Sequence, residues 1–382
     1  MYKKNIYSLA ISLAIFSGCS TTKVEQPTIT PKDKNKTIAP YSRLGINTES
    51  NLTISSIVES RPQPQYETLL GDFQYNYDLL NFIERMVSVH GFKRRELNEI
   101  FSQAQNFQYI PQTKSCSTDI LRIQIGKWDQ YKSCFIYESN IQRGVKFWDE
   151  HQETLERAEI KYGVPVEYII GILGVETAYG VNFGKHRVID VLTTKAMLGG
   201  RRASFYTDEL EHFLLLTRDA GLVPTELMGS TSGALGYGQF MPSSYRRFAV
   251  DFNNDGAIDL WNAEDAIGSI ANYFSINGWN ASISQVAVRA KYPGQRFRYK
   301  RLKTGYKYKY SQWMLKKRYK IVPRSKLYYR GPVSLIKLHR ATYDELWFGT
   351  HNFRVITTYN HSSFYAMAVH QLAQAVKARR GY

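Results

Sequence analysis

A mainly α-helical fold with a small β-containing part is what the sequence predicts, on three observations. Apolar residues recur at helical spacing from Asp78 to Ile276 and again over Tyr365 to Lys377, whereas a stretch between them alternates with period 2. Beyond the first 20 positions no run of 18 apolar residues occurs, which excludes a multi-span membrane protein. With 382 residues, 43% hydrophobic and 22% charged, the chain can bury a sizeable core and has room for two domains plus an irregular segment. The same figures exclude a wholly disordered chain, and no glycine period suggests collagen.

The elements follow in order. Met1 to Lys4 supply two lysines, Ile6 to Phe16 a mostly apolar run, and Ser17-Gly18 small residues ahead of Cys19. This describes a secretory signal over 1–18, too short to span a bilayer. A cysteine directly after Ser-Gly marks a lipoprotein signal, with Cys19 lipidated; the alternative is an ordinary signal cut nearby with Cys19 discarded. Ser20 resembles an outer-membrane sorting signal. Residues 19–68, rich in Thr, Pro, Lys, Asn and Ser without a period, read as a flexible tether. Helices are expected from Asp78 to near Gly91, over Arg95 to Gln105, over Gly144 to Tyr162 with Gly163-Val164-Pro165 as punctuation, and from Val166 to about Tyr179. Further helices are expected over 203–219 and 263–276, completing a helical core over 69–284. Between Lys291 and Arg330 lie 15 Lys or Arg, 10 aromatics and no acid, with the strand-like alternation Tyr306-Lys307-Tyr308-Lys309-Tyr310. Residues 285–354 are therefore expected to form a basic, β-rich subdomain, and 355–382 a segment whose helix returns to the core.

Charge bounds the partners. Lys and Arg number 50 against 33 Asp and Glu, a net +17, which calls for a polyanion: nucleic acid, anionic lipid or an acidic cell-surface polymer. The 28 tyrosines favour flat, polar surfaces able to hold sugars or bases. Export argues against nucleic acid as the native partner.

Three segments carry candidate chemistry. In Ile169-Ile170-Gly171-Ile172-Leu173-Gly174-Val175-Glu176-Thr177, a carboxyl ends a buried apolar helix, where ionisation is costly and the pKa should rise. A carboxyl kept protonated near neutral pH can give its proton to a glycosidic oxygen. The plainer reading is an exposed helix end stopped by Gly180. In Gly233 to Tyr245, three glycines in six residues allow close backbone approach, and Tyr237 and Gln239 can bond hydroxyls or amides. The Lys-Ser/Thr ending of a phosphate loop is missing. In Asp251 to Asn262, Asp251, Asn253, Asp255, the Ala257 carbonyl and Asp259 fall at positions 1, 3, 5, 7 and 9 of an EF-hand-like loop with Gly256 at 6. Asn262 stands at position 12 where a bidentate Glu is expected, and it can instead cap the following helix with Asp265 three residues on. Either a weak structural calcium site or a loop keeping the shape without the ion follows. Cys116 and Cys134 form a disulfide or remain two free buried thiols.

Together the motifs resemble the membrane-bound lytic murein transglycosylase B family, glycoside hydrolase family 103. The resemblance rests on Gly174-Val175-Glu176-Thr177, Gly199-Gly200-Arg201-Arg202, Met228-Gly229-Ser230, the Gly233–Tyr245 run, the calcium-like loop, Ala271-Asn272-Tyr273-Phe274 with Gly278-Trp279, and Tyr359-Asn360-His361-Ser362 with Tyr365 to Val369, in the family's order. It implies a lysozyme-like helical domain of the goose-type and soluble lytic transglycosylase kind. It also implies cleavage of peptidoglycan to 1,6-anhydro-N-acetylmuramic acid ends, with no cofactor required for chemistry. Glu176 would be the sole acid/base, with Ser230, Tyr359 and Asn360 beside it. Tyr131, Arg201, Arg202, Gln239, Tyr273 and Tyr365 would hold sugars or stem-peptide carboxylates. The expected location is the periplasmic face of the outer membrane, anchored through Cys19, with cell-wall synthesis or division proteins as further partners. A hydrolytic muramidase and a non-catalytic peptidoglycan-binding scaffold are the competing readings. Asp190, Asp208 and Glu209 are the conceivable second carboxylates of a hydrolase.

Overall fold

The computed structural model describes residues 68–108, 127–292 and 299–381. The signal segment, Cys19, the tether up to residue 67 and Cys116 lie outside the described residues.

Helices α1 (Tyr77–His90) and α2 (Arg94–Ser102) open the described chain. Asn76 caps α1 by accepting from the Leu79 N–H, and Gly91 ends it in the left-handed region. Next come α3 (Lys127–Ser133), α4 (Glu138–Glu150) and α5 (Gln152–Tyr162). The helical period expected to run unbroken over 144–162 is thus split in two, because His151 leaves the helical region at φ −119°, ψ 25°. Helix α6 (Val166–Glu176) is buried from Val166 to Val175. It stops at Glu176 instead of running on to Tyr179, because Ala178 and Tyr179 turn to φ 50° and 65°.

After α6 the chain forms β1 (His186–Arg187), α7 (Val188–Met197), a single 3-10 turn at Gly200–Arg202, α8 (Ala203–Asp219), β2 (Met228–Gly229), α9 (Pro242–Phe248) and α10 (Ala263–Ile276). Strands β1 and β2 pair antiparallel, His186 facing Gly229, and so tie the segment after Glu176 to the one carrying Ser230. The remaining elements are β3 (Ala287–Lys291), β4 (Lys309–Tyr310), α11 (Gln312–Tyr319), β5 (Val322–Pro323), β6 (Val333–His339), β7 (Asp344–Gly349), α12 (His351–Tyr359) and α13 (Ser363–Arg380).

The larger sheet is antiparallel in the order β4-β6-β7-β3-β5. Strand β6, flanked by β4 and β7, divides two cores by the two-residue period of a strand: Val333 and Leu335 join a small cluster with Leu315, Ile321 and Phe348, while Ile336 and Leu338 join the main helical core. The basic segment is less regular than its alternation predicts. Only Lys309 and Tyr310 of Tyr306–Tyr310 enter the sheet, since Gly305 turns at φ 120° and the Tyr306 N–H is bonded to Ser363 Oγ. A helix, α11, also interrupts the strands.

The helix pair α6 and α13 sets the geometry of the site. A methyl on Gly171 would lie 2.8 Å from the Val369 carbonyl oxygen, and one on Gly174 2.7 Å from a Leu372 methyl. The glycines of α6 therefore let α13 approach backbone to backbone.

Candidate active site

Glu176 closes the buried helix α6 with its carboxyl beside the first turn of α13. The Tyr365 hydroxyl donates to Glu176 Oε1 at 2.5 Å. Burial pushes the carboxyl up to about 7, and the Tyr365 hydrogen bond, which favours the charged form, holds it from rising further. Glu176 retains partial exposure, while Tyr365 is buried. The plainer reading, an exposed helix end, does not hold.

Three tyrosines share the field of that carboxyl. Tyr131, Tyr359 and Tyr365 all have raised pKa values, burial being the larger cause and the Glu176 charge the next. They come from α3, the end of α12 and the start of α13, so the expected groove residues Tyr131 and Tyr365 converge on Glu176 as neutral phenols. Tyr365, expected as a groove residue, is bonded directly to the Glu176 carboxyl. Tyr359 stacks parallel to Tyr365 (10°, centroids 6.4 Å), and its hydroxyl donates to the Gly238 carbonyl at 2.5 Å. That bond docks α12 onto the glycine loop and occupies the Tyr359 proton. Asn360 follows at the exposed C-cap of α12. Tyr273 of α10 is buried and packs edge-on against Tyr359 at 4.8 Å and Phe248 at 4.7 Å, so it backs the site as part of its wall.

The glycine loop is fixed from within. Ser230 Oγ accepts from the Ser232 N–H (3.2 Å) and the Ala234 N–H (3.1 Å), leaving its own proton free to donate outward. Gln239, at φ 50°, donates its side-chain amide to the Phe183 and Gly236 carbonyls (3.2 and 2.9 Å). Its carbonyl oxygen is the part left for a ligand. Arg201 and Arg202 are exposed on the 3-10 turn, with the Arg202 guanidinium 4.6 Å from the Phe205 ring centre and 5.2 Å from that of Tyr206. Lys195 lies over the same Tyr206 ring and donates to the Thr231 carbonyl (2.6 Å), connecting the arginine turn to the Ser230 loop.

Two contributors went unrecognised in the sequence as supports. Buried Thr177 donates to the Tyr237 carbonyl (3.0 Å) and accepts from the Gly180 N–H (3.1 Å), pinning the glycine loop to the end of α6. Tyr179 lays its hydroxyl where a methyl on Gly144 or Gly174 would sit. The glycines themselves were the available signal, since each marks a place where a ring needs the space of a side chain.

The candidate second carboxylates are occupied elsewhere or point outward. Asp190 is paired with Arg187 through both oxygens (2.8 and 2.9 Å) and accepts from the Gln105 N–H. Glu209 accepts from Ser243 N–H and Oγ (2.9 and 2.7 Å), and Asp208 is exposed.

The loop 251–262 bends through its own oxygens. Asp251 Oδ2 accepts from Gly256 N–H, Asn253 Oδ1 from Asp255, Asp255 Oδ1 from Ala257 and Asp259 Oδ1 from Trp261. Buried Asp265 organises it from outside, accepting from the N–H groups of Phe252, Asn253 and Asp259. Asn262 is a correction to the expected metal set: its Oδ1 caps α10 by accepting from Glu264 and Asp265 N–H, turned to the helix. Among the described residues no three His, Cys, Asp or Glu side chains cluster as a metal cage. Asp251 Oδ1, however, is buried without a hydrogen-bond partner. Cys134 is disulfide-bonded, and Cys116, its expected partner, lies outside the described residues.

The family model described as the transglycosylase SLT domain matches residues 74–374. The membrane-bound lytic murein transglycosylase B of Escherichia coli K12 is 43% identical over 326 residues, covering 84% of this chain and 88% of that protein. The structure of the Escherichia coli lytic transglycosylase SLT35 in complex with bulgecin A superposes with a TM-score of 0.76 at 44% identity, covering 84% of this chain and 99% of that one. A structure of the same enzyme in complex with calcium gives 0.75 at 44% identity, with the same coverage of each chain.

Proposed function

The chain belongs to the transglycosylase SLT domain family, and from that membership we propose how its own residues cut peptidoglycan and where in the cell envelope they do so. It is a lytic transglycosylase of lysozyme-like fold, a lyase that needs no cofactor for its chemistry and leaves 1,6-anhydro-N-acetylmuramic acid ends.

The observation that carries the assignment of roles is the half-buried Glu176 carboxyl, pushed up to about 7 and bonded by Tyr365. Protonated Glu176 gives its proton to the glycosidic oxygen between N-acetylmuramic acid and N-acetylglucosamine, and the C1–O bond breaks with oxocarbenium character at C1. The C6 hydroxyl of the same sugar attacks C1, and Glu176, now a carboxylate, takes the hydroxyl proton and is restored. No water is consumed. An internal nucleophile carries a high effective molarity, so a single carboxyl suffices, unlike the paired carboxyls of ordinary glycosidases. The engagement of Asp190 and Glu209 in other bonds supports that economy. Ser230 and Asn360 donate to sugar substituents beside the reacting bond. Tyr131, Tyr273 and Gln239 shape the groove, Tyr359 holds its wall, and Arg201 and Arg202 take peptide carboxylates bidentately.

A weak calcium site in loop 251–262 belongs to the same proposal, with Asp251, Asn253, Asp255, the Ala257 carbonyl and Asp259 as ligands. The buried, unpartnered Asp251 Oδ1 supports it. The enzyme is placed at the periplasmic face of the outer membrane through lipidated Cys19, within reach of cell-wall synthesis or division proteins. Sorted cell fractions from wild type, Glu176→Gln and Cys19→Ala strains, each given murein and read by mass, test these roles together. Wild type should form anhydro ends in the membrane fraction, Glu176→Gln none, and Cys19→Ala the same product in the soluble fraction. A product heavier by one water would replace the transglycosylase mechanism with hydrolysis.

A further inference from the structure

The stretch 291–330 carries 15 cations and no acid, and the turn 303–308 brings part of it to the chain that carries Asn360. This turn is held from several sides. The Gly305 N–H donates to the Leu335 carbonyl (2.9 Å) and the Tyr306 N–H to Ser363 Oγ (3.1 Å). Ser334 Oγ donates to the Tyr306 carbonyl (2.9 Å), and the Tyr310 hydroxyl to that of Lys303 (2.9 Å). The Tyr306 ring lies parallel to His361, the residue after Asn360, at 11° with centroids 6.5 Å apart. Lys303 and Lys307 extend from the turn into solvent, Lys307 Nζ 5.8 Å from the Tyr306 ring centre and Lys303 Nζ 5.6 Å from that of Tyr308. Neither forms an ion pair among the described residues.

We propose that this turn extends the substrate groove, with Lys303 and Lys307 binding stem-peptide carboxylates of the murein strand and the Tyr306–His361 pair bearing on an adjoining sugar. The assignment rests on the reading of Glu176 for the identity of the strand. Three features favour it. The backbone is already ordered, so binding orders only two lysine side chains. The cations have no internal carboxylate to give up. The aromatics beside them are a phenol and an imidazole, flat with a polar edge, which suits a sugar better than an acyl chain. An anionic bilayer would instead find bulk apolar surface next to charge on α11, where Trp313 is 70% exposed beside Lys316 and Lys317.

Steady-state kinetics on murein strands with stem peptides intact, and on the same strands stripped by an amidase, separate these sources. Lys303→Glu/Lys307→Glu should raise KM on peptide-bearing strands roughly three- to tenfold, the range of two exposed ion pairs, and on stripped strands by less than about twofold. Lys316→Glu/Lys317→Glu makes the same change in net charge and should leave that contrast as in wild type. Equal changes on both substrates, the same contrast from the α11 pair, or a loss confined to binding of anionic phospholipid vesicles would each overturn the proposal. Circular dichroism of both variants identifies a folding failure, and Lys303→Arg/Lys307→Arg must then keep the wild-type contrast for the proposal to stand. If wild type formed no anhydro ends, the reading of Glu176 would fall, while the KM contrast between the two substrates would still judge this turn.

Discussion

At the scale of single residues, the proposed mechanism needs Glu176 to hold its proton at the start and lack it at the finish, and a carboxyl poised at about 7 supplies both states near neutral pH. Two opposed causes set the poise: burial raises it, and Tyr365 O–H, bonded to the ionised oxygen, lowers it. Tyr365→Phe keeps the ring stacked on Tyr359 but removes the second cause. The carboxyl should then titrate higher, so the alkaline limb of the kcat profile should move to higher pH. At the same time kcat should fall by roughly ten- to a hundredfold, the range of one hydrogen bond to a charged group. Initial rates between pH 5 and 9 check this; an unmoved alkaline limb would refute the role given to Tyr365. Sequence exposed half of the pair. A carboxyl ending an apolar helix is legible as a perturbed acid, but its bond to Tyr365 crosses 189 positions. Nothing in local pattern joins such distant residues, so the sequence marks Tyr365 only as one groove residue among several.

At the scale of elements, periodicity located α8 and α10 at their expected bounds, where apolar faces are long and ends are marked. It failed where backbone overrode pattern. His151 breaks a continuous apolar stripe, Ala178 and Tyr179 end α6 early, and Gly305 turns an alternating run out of the sheet. In loop 251–262 the side-chain oxygens of Asp251, Asn253, Asp255 and Asp259 accept from the loop's own N–H groups, and Asn262 spends its oxygen on the cap of α10. With that ligand turned away, calcium should bind weakly, with a dissociation constant near the millimolar range of extracellular modules. About 10 mM calcium should then stabilise the fold by roughly 1.4 kcal/mol, the gain expected at ten times such a constant. Thermal denaturation should show the rise, and Asp251→Asn should abolish it by removing the buried unpartnered oxygen. Absence of both a calorimetric signal and a thermal shift at that concentration would remove the ion from this loop.

At the scale of the whole molecule, the proposed catalytic acid, held partly uncharged, links function to global stability. The folded pKa of Glu176, about 7, lies above the 4.5 of the free side chain. The native state therefore binds more protons between those values, and stability is lost as pH rises through the window. Below about 4.5 both states are protonated and nothing is lost; above about 7 the full penalty of a buried carboxylate is present. The difference corresponds to about 2–3 kcal/mol after allowing for the solvent that reaches the group. Glu176→Gln keeps the shape of the neutral acid and cannot ionise. Its stability relative to wild type should therefore climb from pH 4.5 to 7 and then level off, giving a variant inactive yet more stable at neutral pH. Urea denaturation of both proteins across that range measures the gap, and parallel pH profiles would mean that Glu176 ionises in the native state as freely as in the unfolded chain. The direction follows from an apolar helix ending in a carboxyl; the size depends on Tyr365 of α13, with Tyr131 and Tyr359 from α3 and α12, closing over it, a contact that only the folded chain makes.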